Sequence, residues 1–513
     1  MQTRYDHIIV GVGSAGAVVA ARLSEDPGLS VLGLEAGPDY PELTALPEDL
    51  RYAYGVSVER HDWHYTAEIT PGRTIPYARA KVTGGCSAIN GSIALRGLPS
   101  DYDEWAAAGN AGWAWKDLLP YFQRIEDDPL DPRVHGKGGP LPIVRAKRED
   151  LTAIQRAFVD ACIANGFEPV ADHNDPHTPS GIGPIPMNRK GDLRISSAVG
   201  YLTPEARGRK NLTIRANATV TRILFDGARA IGVEARGADG RLDEIHATHV
   251  TLSCGSVHNP PLLWRSGVGP RAKLEALGIE VVADRPGVGE NLIEHCLVTV
   301  ALTPKPGVCK ADSPDVQMVV HYTAPGGPAN DMQIYCVNKL GRERFPELPA
   351  GASDLLYAAM VVLNRPKSRG RVYPTSKDFD AQPAIELNVN ADPEDMRRML
   401  SGVRKCWDIA RTGEFANLST GVAVLTQAIV EDDAKLAAYI QGNCGTIWHP
   451  VGTCKMGVAN DPMTVVDQRL RVHGLKNLYV ADASVFPDHT SRNPNLTCFV
   501  IGERLAEWLK SSS

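Results

Sequence analysis

The fold of this chain is decided by the stretch DHIIVGVGSAG at residues 6–16, which small apolar residues follow as far as Leu23. A second apolar run, residues 29–34, ends at Glu35. This order predicts a buried strand, a glycine turn, a helix and a second strand that carries an acid at its end. It is the G-x-G-x-x-G dinucleotide fingerprint in the setting that the fingerprint requires.

Each fingerprint residue has a physical role toward a dinucleotide. Gly11 permits the tight turn, Gly13 lets the backbone approach a pyrophosphate, and Gly16 lets the helix pack closely on the strand. The helix N-terminus offers free N–H groups and a partial positive charge to phosphates. Glu35 can accept both hydroxyls of an adenosine ribose. A glycine turn that serves packing alone would not explain Glu35. The stretch therefore predicts a dinucleotide site, with FAD and NAD as open alternatives.

Composition indicates an ordinary globular protein of more than one domain. A chain of 513 residues is too long to fold around a single hydrophobic core. Hydrophobic and charged contents of 43% and 22% are typical of globular proteins. The net charge of −6, with no basic tail, disfavours nucleic acid as a partner. No apolar run approaches 18 residues, so we expect no transmembrane span, while peripheral membrane association and the oligomeric state are left open.

The cysteines and the first strand suggest a compartment. The ten cysteines are scattered without a C-x-x-C pair, which is typical of reduced thiols and not of a disulfide framework. The first predicted strand begins within ten residues of Met1, which leaves no room for a signal peptide. Both observations predict a cytoplasmic protein.

The rest of the chain divides into helical and extended stretches. Helices are predicted at residues 151–165, 393–410, 431–440 and 495–509. Strands are predicted at residues 211–215, 218–225 and 230–235, with Asp226-Gly227 as a hairpin signal, at residues 249–255, where the strand enters a turn, and at residues 477–484, where the strand ends in an acid. Residues 297–387 look like strands and loops and suit a separate substrate domain. The terminal strand and helix could return to the first domain and complete the cofactor site.

Two C-terminal stretches carry residues suited to chemistry. His449 precedes Pro450, which restricts it to extended geometry and helps to aim an imidazole suited to proton transfer near neutral pH. A structural histidine is the alternative. Cys444 and Cys454 flank His449 at equal spacing, but they lack the short ligand pairs of zinc sites, so no metal is predicted. The Asn-Pro-Asn turn at residues 493–495, taken alone, indicates a helix N-cap at Asn495.

The order of these motifs along the chain adds a further signal. The fingerprint, residues 81–90, residues 255–269, His449-Pro450 and residues 480–495 follow one another in an order that resembles the glucose–methanol–choline (GMC) oxidoreductase family from end to end. The resemblance implies an α/β protein. A Rossmann-like FAD-binding domain is expected from discontinuous segments, residues 1–150, 195–296 and 441–513. An α+β substrate domain with an antiparallel sheet is expected from residues 151–194 and 297–440.

The same resemblance implies a reaction and its residues. A primary or secondary alcohol would be oxidised to the carbonyl by hydride transfer to flavin N5, with His449 as base, Asn493 as its partner, and O₂ or another electron acceptor. The positions that match cofactor-binding residues of the family are Gly11, Gly13, Ser14, Ala15, Gly16, Glu35, Ala36, Trp63, Arg79, Val82, Gly84, Gly85, Asn90, Gly91, Ser92, Ile93, Val220, Asp482, Ala483, Asn493, Pro494 and Asn495.

Departures from the family pattern leave this assignment in place. Thr83, Cys86 and Asn259 replace more usual residues. Ile89 stands where members with covalent flavin have histidine, so the resemblance implies non-covalent FAD. The alternatives are a lyase of the same fold, similar to hydroxynitrile lyases, an NAD-dependent dehydrogenase and a non-catalytic FAD-stabilised binding protein. The alcohol, and the choice between oxidase and dehydrogenase, are left open.

Overall fold

A computed structural model describes residues 4–178, 180–345, 347–348 and 353–511. Its strands are β1 Arg4–Val10, β2 Val31–Leu34, β3 Tyr65–Thr70, β4 Arg73–Tyr77, β5 Glu126–Asp127, β6 Leu141–Val144, β7 Gly181–Pro184, β8 Met187–Lys190, β9 Leu193–Arg194, β10 Leu212–Arg215, β11 Thr219–Asp226, β12 Arg229–Arg236, β13 Leu242–Leu252, β14 Val268–Gly269, β15 Ala283–Asp284, β16 Cys296–Pro304, β17 Met318–Tyr322, β18 Met332–Gly341, β19 Leu355–Leu363, β20 Arg371–Tyr373, β21 Ala384–Glu386, β22 Ser419–Val422, β23 Gly445–Thr446 and β24 Leu478–Val480.

The helices lie between and after these strands. They are α1 Gly16–Leu23, α2 Glu48–Arg51, α3 Cys86–Ile89, α4 Pro99–Ala107, α5 Trp115–Ile125, α6 Ala153–Ala164, α7 Ser197–Gly200, α8 Pro204–Arg207, α9 Gly255–Arg265, α10 Arg271–Ala276, α11 Pro393–Ala410, α12 Gly413–Asn417, α13 Gln427–Val430, α14 Asp433–Asn443 and α15 Asn495–Lys510. Short 3₁₀ turns occupy Leu43–Ala45, Arg148–Asp150, Arg342–Arg344 and Ala483–Val485.

The first sheet has seven strands in the order β10-β2-β1-β13-β12-β11, with β24 also paired to β13. The strands β10, β2, β1, β13 and β24 run parallel, whereas β12 pairs antiparallel with both β13 and β11. The apolar runs of β1 and β2 are buried on both faces, which is why they read as continuous and not alternating. The strand, turn, helix and strand predicted for residues 6–35 are confirmed.

Helices α1 and α15 pack against each other beside this sheet. A Cβ on Gly502 of α15 would lie 2.8 Å from the backbone oxygen of Ala15, at the start of α1. The contact needs a glycine because the two backbones come this close. The last helix of the described chain therefore lies directly beside the first.

The second large sheet is antiparallel, in the order β22-β16-β19-β18-β17-β7, with β23 also paired to β16. One face packs on α6 and α11 through an apolar core that includes Val298, Val361 and Met399. The other face borders a cavity. The prediction of a mixed α/β fold with an antiparallel sheet is confirmed. The domain boundaries remain a proposal. The pairing of β7, which lies within residues 151–194, with β17 supports it.

Two local expectations differ from the structure. Asn495 does not cap α15: Pro494 holds the N-cap position and no side chain caps the helix there, so the N-cap interpretation was wrong. Helix α9 was not predicted, because Pro260 and Pro261 lie inside it. Proline removes a helical N–H. The carbonyl of Ser256, four residues before Pro260, instead accepts a hydrogen bond of 2.7 Å from the Thr453 hydroxyl.

Two further expectations concern the cysteines and the membrane. All ten cysteines are free thiols, as predicted. Within the described ranges, none of the helices has the length and apolarity that a bilayer crossing demands. The cytoplasmic location stays a prediction.

Candidate active site

A cavity of about 1190 Å³ is lined by residues of both large sheets. At one end it is lined by the glycine turn, Glu35 and Val220. At the other end it is lined by His449, Asn493 and Tyr335 of β18. The parallel sheet therefore supplies one end and the antiparallel sheet supplies the other.

Two glycine turns meet on the wall of this cavity. A Cβ on Gly11, whose φ is +85°, would lie 2.5 Å from the carbonyl oxygen of Ser253. A Cβ on Gly85, whose φ is +52°, would lie 2.7 Å from the Cα of Gly13. Side chains at these positions would collide with backbone, so the glycines keep two bare turns in contact and leave backbone exposed to the cavity.

Glu35 is held by the backbone of the same turn. Its carboxylate accepts hydrogen bonds from the N–H of Val12 at 3.0 Å and of Gly37 at 2.9 Å. Burial raises the pKa of this carboxyl, and the backbone hydrogen bonds oppose the shift. Each oxygen keeps a second lone pair. Glu35 is therefore fixed at the cavity wall with acceptor capacity to spare.

Asp482 fastens the end of β24 to the start of α9. Its carboxylate accepts from the Gly255 N–H at 2.7 Å, the Asn259 side-chain amide at 2.8 Å and the Ser484 N–H at 2.8 Å. Asn259, one of the departures from the family pattern, is thus a direct partner of Asp482. The clamp holds two segments of the chain that are distant in sequence at one point of the cavity wall.

Most of the cofactor-binding positions named from the sequence line this cavity. Lining residues are Gly11, Gly13, Ser14, Ala15, Glu35, Ala36, Trp63, Arg79, Gly85, Asn90, Gly91, Ile93, Val220, Asp482, Ala483, Asn493, Pro494 and Asn495. Gly16, Val82, Gly84 and Ser92 lie outside the lining. A Cβ on Gly16 would lie 2.0 Å from the carbonyl oxygen of Gly11, so this glycine serves close packing. The individual binding roles stay predictions.

The shape and donor set of the cavity fit a dinucleotide. Bare backbone and the N-terminus of α1 suit a pyrophosphate, and an ordered carboxylate at a strand end suits a ribose. Ile89 also lines the cavity and offers no nucleophile for a covalent bond.

At the far end, four side chains form one hydrogen-bonded row. The Tyr335 hydroxyl donates to Asn493 Oδ1 at 3.0 Å, and Asn493 Nδ2 lies 3.3 Å from His449 Nε2. On the other side of the ring, His449 Nδ1 lies 3.0 Å from His295 Nδ1. The structure therefore brings His449 and Asn493 together, 44 residues apart in the chain.

The backbone around His449 is also tied down. Trp448 adopts a φ of +58°, which is unusual for a bulky residue, and its carbonyl accepts from Arg79 Nη2 at 2.8 Å. The N–H of His449 donates to Glu294 at 2.7 Å, and its carbonyl lies 2.9 Å from His489 Nε2. These contacts fix where the imidazole points.

The histidines of this cluster are kept neutral. Burial, together with the neighbouring His489 and the Arg79 guanidinium, holds the pKa of His449 well below its usual range. Burial, together with His489 and His449, lowers the pKa of His295 strongly. Burial lowers the pKa of His489 to about 4, and its ring stacks on that of His295 with centroids 3.5 Å apart.

A carboxyl group lies behind this cluster. Glu294 accepts hydrogen bonds from the Tyr77 hydroxyl and from the N–H groups of His295 and His449. Burial raises the pKa of Glu294 to about 7, against the lowering effect of Tyr77 and Arg79. This group is therefore poised between its charged and neutral forms near neutral pH.

Sequence reasoning missed His295, Glu294 and Tyr335. The pair Glu294-His295 stands directly before β16, and an acid–histidine pair at a strand entry is a signal that was available. Tyr335 lies in the buried first part of β18, where no pattern distinguishes it from a core aromatic residue.

The described residues also contain a metal-like cluster elsewhere. Glu126, Asp128 and His135 approach one another closely enough to hold an ion. However, Arg96 pairs with Glu126, and Arg145 pairs with Asp128 at 2.9 Å. These guanidinium groups neutralise the carboxylates, and the cluster is an internal ion-pair network.

Comparison with known proteins identifies the family. The N-terminal GMC oxidoreductase domain matches residues 5–297, and the C-terminal GMC oxidoreductase domain matches residues 366–502. Choline oxidase of Arthrobacter globiformis is 36% identical over 539 residues, with 99% of this chain and 94% of that protein covered. 5-(Hydroxymethyl)furfural oxidase of Methylovorus sp. is 34% identical, with 98% of both covered.

A solved structure agrees with these sequence matches. Pyridoxine 4-oxidase from Mesorbium loti superimposes with a TM-score of 0.91 at 31% identity, with 99% of both chains covered. Together with the cavity that joins a glycine turn to a histidine–asparagine pair, these matches confirm the expectations of family, fold and FAD. The chain belongs to the GMC oxidoreductase family and is an FAD-dependent oxidoreductase that acts on CH–OH groups.

Proposed function

We propose that the chain oxidises a primary or secondary alcohol to its carbonyl, with His449 as the base and Asn493 as the group that holds the alcohol oxygen. The observation that carries this proposal is the hydrogen-bonded row Tyr335, Asn493, His449 and His295 at one end of the cavity. FAD, when bound, accepts the hydride that leaves the alcohol carbon.

The row selects one tautomer of His449. Because the Tyr335 hydroxyl donates to Asn493 Oδ1, the amide nitrogen of Asn493 faces His449 Nε2 as a donor. Nε2 must then carry the lone pair, and the proton on Nδ1 is donated to His295. The unprotonated nitrogen thus faces the cavity, where the alcohol hydroxyl would lie.

Proton transfer in this site follows from that tautomer. The alcohol hydroxyl gives its proton to His449 Nε2 as the hydride departs, so charge does not accumulate on the oxygen. Asn493 donates to the same oxygen and orients the C–H bond. The low pKa of His449 keeps the base neutral and ready at physiological pH.

The decisive experiment is anaerobic stopped-flow reduction of the flavin by an alcohol. His449→Ala should retain FAD and slow flavin reduction by about 10² to 10⁴-fold. His246→Ala, at an exposed position on β13, is the matched control. Unimpaired reduction in His449→Ala would contradict the assignment of the base.

The same experiment separates the alternatives. A lyase of this fold would show no bleaching of the flavin by alcohols, and an NAD-dependent dehydrogenase would be colourless when purified. Admission of O₂ after reduction distinguishes an oxidase, which recovers its colour at once, from a dehydrogenase that needs another acceptor. Since Ile89 offers no nucleophile, acid precipitation should release the yellow cofactor into the supernatant.

A further inference from the structure

The loop that connects β20 to β21, residues 374–383, forms part of the cavity wall. Its lining residues include Phe379, Asp380 and Pro383. None of them takes part in the proposed proton or hydride transfer. We call this segment the exchange loop.

The exchange loop is a self-contained unit. Its two ends are adjacent because they continue the antiparallel pair β20 and β21. Inside the loop, the Thr375 hydroxyl donates to the carbonyl of Gln382 at 3.1 Å. The Asp378 carboxylate accepts from the Asp380 N–H at 3.0 Å. Adjacent ends and internal contacts are typical of an Ω-loop, a compact segment that frequently carries function.

The body of the loop has little apolar attachment to the rest of the protein. None of the residues 375–382 is buried. None of them belongs to a hydrophobic cluster of the described chain. A segment with few buried apolar contacts opens locally at low free energy. The position of the loop therefore depends on contacts made by its side chains.

One side chain of the parallel sheet holds the tip of the loop. Arg236, the last residue of β12, donates two hydrogen bonds to the Asp380 carboxylate, at 2.8 and 2.7 Å. Its guanidinium carbon also lies 4.4 Å from the centroid of the Phe379 ring. The hydrogen bond from Arg236, with Lys81 and Arg265 further away, lowers the pKa of Asp380, which keeps the carboxylate charged. An exposed single ion pair contributes little, but this guanidinium is bidentate and also covers a ring.

The register of the sheet places Arg236 at the end of the cavity that suits a nucleotide. Arg236 pairs with Thr219 in the ladder of β12 and β11. The preceding residue, Ala218, donates its N–H to the carbonyl of Glu35 at 2.8 Å. Arg236, Thr219 and Glu35 all line the cavity. The contact between Arg236 and the exchange loop therefore closes the wall beside the carboxylate at the end of β2.

We propose that the exchange loop is a lid on the cofactor cleft and that Arg236 is the residue that holds it shut, so that opening of this contact sets the rate at which FAD exchanges. Arg236 and Asp380 are positioning residues in this role, because they act on the cofactor through the loop. Their contact involves protein atoms alone, so it closes the lid with or without FAD. The inference does not depend on the alcohol or on the role of His449.

Exchange of FAD in the holoenzyme tests the inference. Enzyme loaded with radiolabelled FAD is chased with excess unlabelled FAD, which gives the dissociation rate constant, and equilibrium dialysis gives Kd. We expect Arg236→Gln and Asp380→Asn each to raise the dissociation rate constant by about three- to tenfold. Kd should change much less, because a lid that opens more often speeds entry and exit alike.

Two further variants separate a lid from a direct cofactor contact. The double variant of Arg236→Gln with Asp380→Asn should release FAD no faster than either single variant, because both substitutions break the same contact. If Arg236 bound FAD directly, Asp380→Asn would leave Arg236 in place and would not speed release. The control is Arg222→Gln, which breaks an exposed ion pair of 3.0 Å with Glu234 on the same two strands and should leave exchange unchanged.

The outcomes that would overturn the inference are distinct. An unchanged dissociation rate constant in either single variant would exclude Arg236 as the residue that holds the lid. A rise in dissociation matched by an equal rise in Kd would mean that FAD had lost a contact and that no lid had opened. The melting temperature and flavin absorbance verify the fold of each variant. Flavin reduction by an alcohol is measured separately, so failure of the proposed function does not affect this test.

Discussion

His295 decides which nitrogen of His449 is free, although it lies on the far side of the ring. Its Nδ1 lies 3.0 Å from His449 Nδ1, and its stacking on His489 fixes the plane of its own ring. His295 is thus a positioning residue, whose effect on the reaction passes through His449.

Replacement of His295 should impair proton transfer to His449, although His449 itself is still present. We expect His295→Ala to slow flavin reduction by at least about tenfold with little change in Kd, because a wrong histidine tautomer is costly in related proton relays. Stopped-flow rates across pH are the measurement. His295→Gln, which can accept from Nδ1–H through its amide oxygen, should recover part of the rate, and an unchanged rate in His295→Ala would contradict the role.

The pH dependence of flavin reduction provides another residue-scale prediction. The base must be neutral, and the pKa of His449 is held well below its usual range by burial, His489 and Arg79. The rate should therefore fall only as the pH drops well below 6.5, the ordinary histidine value. Replacement of Arg79 by Gln removes one cause and should move this acid limb upward. A limb already at or above pH 6.5 in the wild type would contradict the assignment.

At the scale of elements, the contact between the two glycine turns should be intolerant of any side chain. Gly85→Ala would place a Cβ 2.7 Å from the Cα of Gly13, at a φ of +52° that disfavours L-residues. We expect the purified variant to lose most of its FAD, as measured by the ratio of absorbance at 450 and 280 nm. Gly442→Ala, in α14 with no neighbour within 4 Å of the new Cβ, is the control and should retain its cofactor.

The elements divide into those that sequence predicts and those that it does not. The unit β1-α1-β2 was predicted because its features are unambiguous. Continuous apolar runs indicate buried strands, the glycine turn indicates the start of a helix, and the acid marks the end of the second strand. Helix α9 was not, because the tertiary contact from Thr453 to Ser256 that compensates for Pro260 has no local sequence signal. His449 and Asn493 were named from their motifs, whereas Tyr335 enters the site through the pairing of β18 with β19, which no single segment encodes.

At the scale of the whole molecule, buried neutral histidines make stability depend on pH. Burial lowers the pKa of His7 and His489 to about 4 and of His173 to about 3. In the unfolded chain these groups titrate near 6.5, so the unfolded state binds more protons at lower pH. Each contributes up to about 1.4 kcal/mol of destabilisation per pH unit between its two pKa values.

The melting temperature should therefore fall steadily as the pH is lowered from 6.5 to 4. The pKa of His135 is raised to about 9 by Asp172 and Glu126, so its stabilisation is fully present below pH 6.5 and does not offset the loss. Differential scanning fluorimetry at fixed FAD concentration would measure the trend. A melting temperature that is constant over this range would contradict it, and His7→Gln should reduce the slope.

The clamp at Asp482 has a consequence for biosynthesis. β24 pairs with β13, and Asp482 binds Gly255 and Asn259, so the cofactor cleft has a wall that is translated long after β1. At about 5–20 residues per second, roughly 20 to 90 s separate the glycine turn from β24 on the ribosome. During that interval the nascent chain presents half of a nucleotide cleft and the unpaired edge of β13. FAD capture is therefore a late event, and a chain truncated before β24 should emerge without colour.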